Sequence, residues 1–237
     1  MSAALSDERI ARGMAAQFAR RRERLAAGER HIGWKAGFGA PAAMEKLGLA
    51  APLVGFLTDR VVVGAGATVP IAGWTQAVVE PEIAIHLGSD LGAGASEEDA
   101  RLAISGLGVA FELADLDPPP DDVEMVLAGN IYNRNVMLGP PSAAGAGGGV
   151  AGRRGRVTRN GAGFAATRDL EANTGRLVRI TAHIADLVAG MGGRLAAGDV
   201  IIAGSIVPPV FVSADARAEE VGFEVEGLGR LSVLVER

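Results

Sequence analysis

The chain has 237 residues, 49% of them hydrophobic and 22% charged, which suits one globular domain, and its lack of cysteine excludes disulfides and thiolate-held metals. The formal net charge of −5 argues against general nucleic-acid binding. No apolar run approaches the roughly 18 residues of a membrane span, and the polar start "SAALSDERIAR" carries no secretory segment, so a soluble cytoplasmic protein is expected.

Residues 6 to 27 read as an amphipathic helix. Ser6 can cap it, Asp7 and Glu8 suit the positive end of the helix dipole, and Ile10, Met14 and Phe18 recur every fourth residue. Gly28 ends it. Arg20, Arg21, Arg22 and Arg24 crowd its second half and read as a solvated face rather than a site for an acidic partner. The stretch "HIGWKAGFGAPAAMEKLGL" follows as a glycine-rich turn leading into a short helix, with Pro41 near its start and Gly48 after its end. "VGFLTDRVVVGAGATVPI" reads as strands separated by glycine turns.

Residues 77 to 87 alternate as a strand. Val79, Pro81, Ile83, Ile85 and Leu87 take one face, and Glu80, Glu82, Ala84 and His86 the other. A helix over 97–106 is capped by Ser96, with Asp99 at the capping-box position. "VAFELADLD" is a further short strand, stopped by Pro118 to Pro120. The glycine-rich segment 139–163 reads as a long loop or as a hairpin turning at Asn160-Gly161, and it lacks the spacing of a dinucleotide site. Residues 169 to 191 read as a helix, and "GDVIIAGSIV" and "GRLSVLVE" close the chain as strands. Many short strands with few helices indicate an α+β or mixed β-rich domain.

Glu80 and Glu82 share one strand face about 6.5–7 Å apart along the chain. Glu112 is the other acid embedded in an apolar strand, and the intervening helix can return it beside them. Three such carboxylates resist ionising together unless a cation neutralises them, and all-oxygen ligation suits Mg²⁺, with Mn²⁺ or Ca²⁺ as alternatives. The pair alone better suits a solvent-facing edge, since alternating strands often expose glutamate. His86 lies about 13 Å beyond Glu82 and reads as a hydrogen-bonded structural histidine.

The segments "GWKAGF", "GFLTD", "EPEIAIHLG", "FELAD", "AGNIYNRNVMLG", "GDVIIAGS" and "EGLGRLSV", in this order, resemble the fumarylacetoacetate hydrolase superfamily. The nearest branch is that of the 2-oxopent-4-enoate hydratases and 4-oxalocrotonate decarboxylases. The resemblance covers residues 31 to the end and is weak over 140–197. It implies a mixed β-sandwich roll, an N-terminal helical segment over 1–30 and a catalytic domain over 31–237. It further implies a homodimer or larger assembly, with a complex with a paralogous family enzyme as a variant.

The resemblance puts the metal ligands at Glu80, Glu82 and Glu112, with Asp115 completing the third ligand's motif. It puts Lys35 and Asp59 in catalytic roles, Lys35 on the substrate carboxylate or moving protons and Asp59 as a proton shuttle. Asn130 and Ser205 are its substrate contacts. The implied activity is hydration of small 2-oxo or 2-hydroxydienoic acids. Decarboxylation of a 2-oxo acid, carbon–carbon hydrolysis of an acylpyruvate, or a non-catalytic ligand-binding or assembly role are the alternatives. A 2-oxo acid can chelate one metal, which stabilises the developing enolate.

The chain departs from the family pattern at several points. "DLDPPPDD" replaces a D-S-R stretch, Gly129-Asn130-Ile131-Tyr132 stands for Asp-Asn-Ala-Ser, and Ile206-Val207 stands for Leu-Thr. Pro81 between the paired glutamates is also unusual and suits an edge strand.

Overall fold

The computed structural model describes residues 3–117 and 121–237, so the proline run expected to stop a strand, Pro118 to Pro120, lies outside the described residues. Helix α1 (Glu8–Ala26) is capped by Asp7 rather than Ser6, because the Asp7 carboxylate accepts the Arg9 N–H at 2.9 Å. Its stripe of Ile10, Met14 and Phe18 is buried, and Gly28 follows the helix with φ of 97°. The arginine run is only partly a solvated face. Arg21 lies 5.1 Å from the Trp34 ring centroid, and Arg24 lies 5.6 Å from that of Phe56 while pairing with Glu29 at 2.8 Å.

The glycine-rich stretch after α1 is not a turn but strand β1 (His31–Gly37), followed by α2 (Pro41–Leu47) with Pro41 at its start and Gly48 left-handed at its end. Strands β2 (Leu53–Thr58), β3 (Val62–Val63) and β4 (Thr68–Pro70) lead into β5 (Ala77–Leu87). Helix α3 (Glu97–Ala103) carries the Ser96–Asp99 capping box and runs directly into β6 (Ile104–Asp115), which is longer than expected. Next come α4 (Val123–Ala128), β7 (Asn133–Leu138), and the hairpin β8 (Gly155–Arg159) and β9 (Ala162–Thr167). That hairpin turns at Asn160-Gly161, with φ of 50° and 76°, as a primed turn requires.

Helix α5 (Leu177–Gly190) starts eight residues later than expected. Before it, Asp169 accepts the Glu171 N–H at 3.1 Å and Gly175 is left-handed with φ of 89°, so residues 169–176 form turns instead. The chain ends with β10 (Val200–Ser205), β11 (Val210–Phe211), β12 (Ala218–Val225) and β13 (Gly229–Glu236).

The strands form two curled sheets, which with the N-terminal helix make an α+β fold. One has the order β2-β1-β10-β5-β6-β7-β3 with β11 beside β5; the other runs β4-β13-β12-β8-β9. They pack face to face, Phe111 of β6 against Phe223 of β12 with centroids 6.0 Å apart. Strand β1 runs parallel to β10 at close approach. A Cβ on Gly33, whose φ is 154°, would sit 1.8 Å from the Val200 carbonyl oxygen. Strand β5 is central rather than an edge, which corrects the expectation from Pro81. The Pro81 carbonyl accepts the Ile206 N–H at 3.0 Å, so its N–H-less nitrogen faces the same side, where β10 ends and β11 has not begun. Among the described residues, no helix is long and apolar enough to cross a membrane.

Helix α1 is tied into this frame by Gln17. Its fully buried amide donates to the carbonyls of Val54 at 3.0 Å and Leu127 at 2.9 Å, bridging α1, β2 and the end of α4. Gln17→Leu keeps the volume and removes the donor to both carbonyls, of which Leu127 keeps the Asn130 N–H at 2.9 Å, so it should lower the unfolding free energy by about 1–3 kcal/mol. Urea denaturation of the variant and parent measures this directly, and unchanged midpoints would make the bridge dispensable.

Candidate active site

The antiparallel register of β5 and β6 sets Glu80 directly opposite Glu112, and the period-2 alternation of β5 brings Glu82 to the same face. Each of the three offers a carboxylate oxygen within 4.8 Å of the others. Glu82 and Glu112 are buried and Glu80 is half-buried. The site is therefore not the exposed edge expected from the pair alone.

The curl of the large sheet carries Lys35 of β1 over β10 and β5 to this cluster. Its buried ammonium donates to Glu112 Oε1 and, at 3.0 Å, to the Ile131 carbonyl. Gly55 on β2 makes room for that reach, because a Cβ there would lie 2.8 Å from Lys35 Cγ and 2.9 Å from Asn130 Oδ1. Asn133 Nδ2 also donates to Glu112 Oε1, at 2.8 Å, and the Gly204 N–H donates to Glu82 Oε2 at 2.7 Å. Glu82 Oε1 is buried with no hydrogen-bond partner among the described residues.

When all four groups are ionised, the cluster carries two more negative than positive charges. Burial, then the Glu112 charge, pushes the Glu80 carboxyl up to about 7, against the pull of Lys35. Burial, then Glu112 and Glu80, holds Glu82 well above the usual carboxylate range. A buried oxygen without a donor, an all-carboxylate donor set and this excess charge together fit a hard divalent cation.

The cluster opens into a cavity of about 230 Å³, below the roughly 300–1,000 Å³ of pockets for drug-sized ligands, so it suits a small acid. Lys35, Glu80, Glu82 and Ser205 line it, and the Ser205 hydroxyl lies 3.5 Å from the Pro81 carbonyl. Two expected site residues are not on its wall. Asp59 accepts the Arg30 N–H and guanidinium, both at 2.9 Å, which leaves it tied outside the cavity rather than placed as a shuttle. Asn130 spends its side chain on Phe56, accepting the N–H and donating to the carbonyl, both at 2.9 Å. It is a backbone brace instead of a substrate contact.

His86 also departs from expectation. Its buried Nε2 has no hydrogen-bond partner among the described residues, and burial lowers its pKa. Asp115 instead accepts the N–H groups of Thr75 and Gln76 and pairs with Arg134 at 2.9 Å. Sequence reasoning missed Asn133, the Ile131 carbonyl and the Gly204 N–H. The last two are backbone groups, which no side-chain pattern marks. It also missed Asn173 and Thr174, which reach the cavity wall because α5 begins late.

Comparison with known proteins places the fold in a family. Residues 33–236 match the fumarylacetoacetate (FAA) hydrolase C-terminal family. The chain is 30% identical over 219 residues to 2-hydroxyhexa-2,4-dienoate hydratase of Comamonas testosteroni, covering 90% of this chain and 81% of that one. It is 28% identical over 215 residues to 4-oxalocrotonate decarboxylase of a Pseudomonas species, covering 88% and 80%. Its fold superposes with a TM-score of 0.86 on 4-oxalocrotonate decarboxylase from Pseudomonas putida complexed with magnesium and adipate, at 24% identity over 99% of this chain and 90% of that one. On a match spanning nearly its whole length, the chain belongs to the fumarylacetoacetate hydrolase family.

Proposed function

We propose that this protein is a Mg²⁺-dependent hydratase of small 2-hydroxydienoic acids, acting through their 2-oxo forms. The observation that carries the reading is the convergence of Glu80, Glu82 and Glu112 beside a buried Lys35 at the end of a small cavity. Hydratase relatives that span most of the chain support the reaction type. A decarboxylase relative of similar extent keeps 2-oxo acid decarboxylation on the same site as the second reading.

Glu80, Glu82 and Glu112 would hold Mg²⁺, which when bound supplies a Lewis acid for the oxygen at C2 of the substrate. The chain's own groups account for positioning and proton transfer. Lys35 Nζ has three donors, and Glu112 and the Ile131 carbonyl use two, leaving one for the substrate. From that position the Lys35 ammonium would give a proton to the far carbon of the diene and, as the neutral amine, take up the proton of the 2-hydroxyl. Water then adds across the remaining double bond of the unsaturated ketone, so the net change is the gain of one water. Asn133 and the Ile131 carbonyl fix Lys35 against Glu112, and the Gly204 N–H fixes Glu82.

Two outcomes check this reading. Without metal, the raised Glu80 group contributes stability that is fully present below its ordinary 4.5 and is lost as pH rises through about 7. Thermal melts of the metal-free protein should therefore fall across that window. Mg²⁺ should flatten the fall and release protons on binding, and Glu80→Gln should weaken Mg²⁺ binding by about 100-fold or more with its circular dichroism unchanged. Unchanged metal affinity would remove Glu80 from the ligand set.

The second outcome concerns turnover. With Mg²⁺, 2-hydroxypenta-2,4-dienoate should be hydrated, and Lys35→Met should slow this by about 100- to 10,000-fold, a larger change than in its metal affinity. No turnover of this acid, oxaloacetate or acylpyruvates by metal-loaded protein would overturn the enzymatic reading. Equal rates in variant and parent would make Lys35 structural.

A further inference from the structure

Beyond the carboxylate end, the cavity carries no positive charge. Lys35 is the one cation among the described residues that line it, and Glu112 already holds its ammonium. Two polar side chains of the wall already donate to neighbouring carbonyls. Asn173 Nδ2 donates to the Ser205 carbonyl at 2.6 Å, and the Thr174 hydroxyl donates to the Gly175 carbonyl at 3.2 Å. Phe38, Ala43, Val78, Leu116 and Pro209 are apolar, and the Tyr132 hydroxyl is buried without a hydrogen-bond partner among the described residues. Phe38 and Tyr132 close one side with ring centroids 6.3 Å apart.

Next to this wall the chain is acidic. Leu116 is followed by Asp117, and burial together with the charges of Asp121, Asp117 and Asp122 pushes the Tyr132 hydroxyl up to about 12. The nearest cation along the chain, Arg134, is committed to Asp115 at 2.9 Å and lies over the Trp74 ring. A second carboxylate at the far end of a bound acid would meet a largely apolar wall with neutral donors alone, where it loses its water without a counter-charge, or a rim of like charge.

Resting on the 2-oxo acid reading above, we propose that this cavity admits acids with an uncharged tail and excludes diacids, with Leu116 and Ala43 among the residues that set the selectivity. This separates the two readings of the same site. A 2-hydroxydienoate with a methyl or hydrogen terminus fits the wall, whereas 4-oxalocrotonate carries a second carboxylate that finds no counter-charge.

The test is calorimetric binding to the Mg²⁺-loaded protein of two inert acids of equal carbon number, 2-oxopentanoate and 2-oxopentanedioate. The monoacid should bind about 100-fold or more tightly than the diacid. Leu116→Arg should raise diacid affinity by about tenfold or more by supplying a counter-charge at the tail. Ala43→Arg, at a partly exposed helix position, tests the same point should the Leu116 variant fail to fold. Equal affinities for the two acids, or no gain in diacid binding from either folded arginine variant, would overturn the selectivity and leave the 2-oxo acid reading standing. Failure of both acids to bind the metal-loaded parent would overturn that reading and this one with it.

Discussion

Glu80 and Glu112 face each other across neighbouring antiparallel strands, with Glu82 two residues along, and this like-charged contact is the constraint the rest of the molecule is built around. Directly opposed like charges destabilise a strand pair, and burial makes them worse. The surrounding fold supplies partial compensation. Lys35 arrives from a strand that is not a neighbour of β6, Asn133 donates to Glu112, and a left-handed Gly204 turns its N–H onto Glu82. None of these reaches Glu82 Oε1, and one ammonium cannot balance three carboxylates. The site therefore remains electrostatically incomplete, and such an acidic cluster could hold a metal ion.

The segment after α4 shows what this positioning costs. Asn130, Ile131 and Tyr132 all have positive φ, 61°, 53° and 61°, each roughly 1–2 kcal/mol above the right-handed conformation. Ile131 is β-branched and among the worst residues for it. Two hydrogen bonds from the Asn130 side chain to the Phe56 backbone hold the segment in place. The strained turn directs three groups at once: the Ile131 carbonyl to Lys35, the Tyr132 ring to the cavity wall and the Asn133 amide to Glu112.

Much of the fold was legible wherever local chemistry and period agreed. The capping box at Ser96, the Asn160-Gly161 hairpin and the alternation of residues 77–87 all appear where expected, because each is determined within a few residues. The errors lie where distant contacts overrule local preference. "HIGWKAG" looks like a turn by its glycines, yet Gly33 serves a close parallel pairing with β10, more than 160 residues away. In the site, the acidic ligand set could be read from strand period. The placement of Asp59 and Asn130 could not, since it depends on Arg30 and Phe56, partners that no spacing rule connects to them.

The break in pairing along β5 lies beside the paired glutamates. Strand β5 is bordered by β10 over its second half and by β11 over its start, and the register slips between Ile202 and Ser205 where the first gives way. At that junction an ordinary residue would present an N–H to a missing partner. Pro81 presents none, so the break in pairing carries no unsatisfied donor there. Gly204, left-handed with φ of 92°, bends β10 at the same level, and its N–H goes to a carboxylate in place of a strand. The proline between the paired glutamates thus belongs to the opening itself: it lets the ladder lapse beside Glu80 and Glu82, which leaves their carboxylates on a cavity wall.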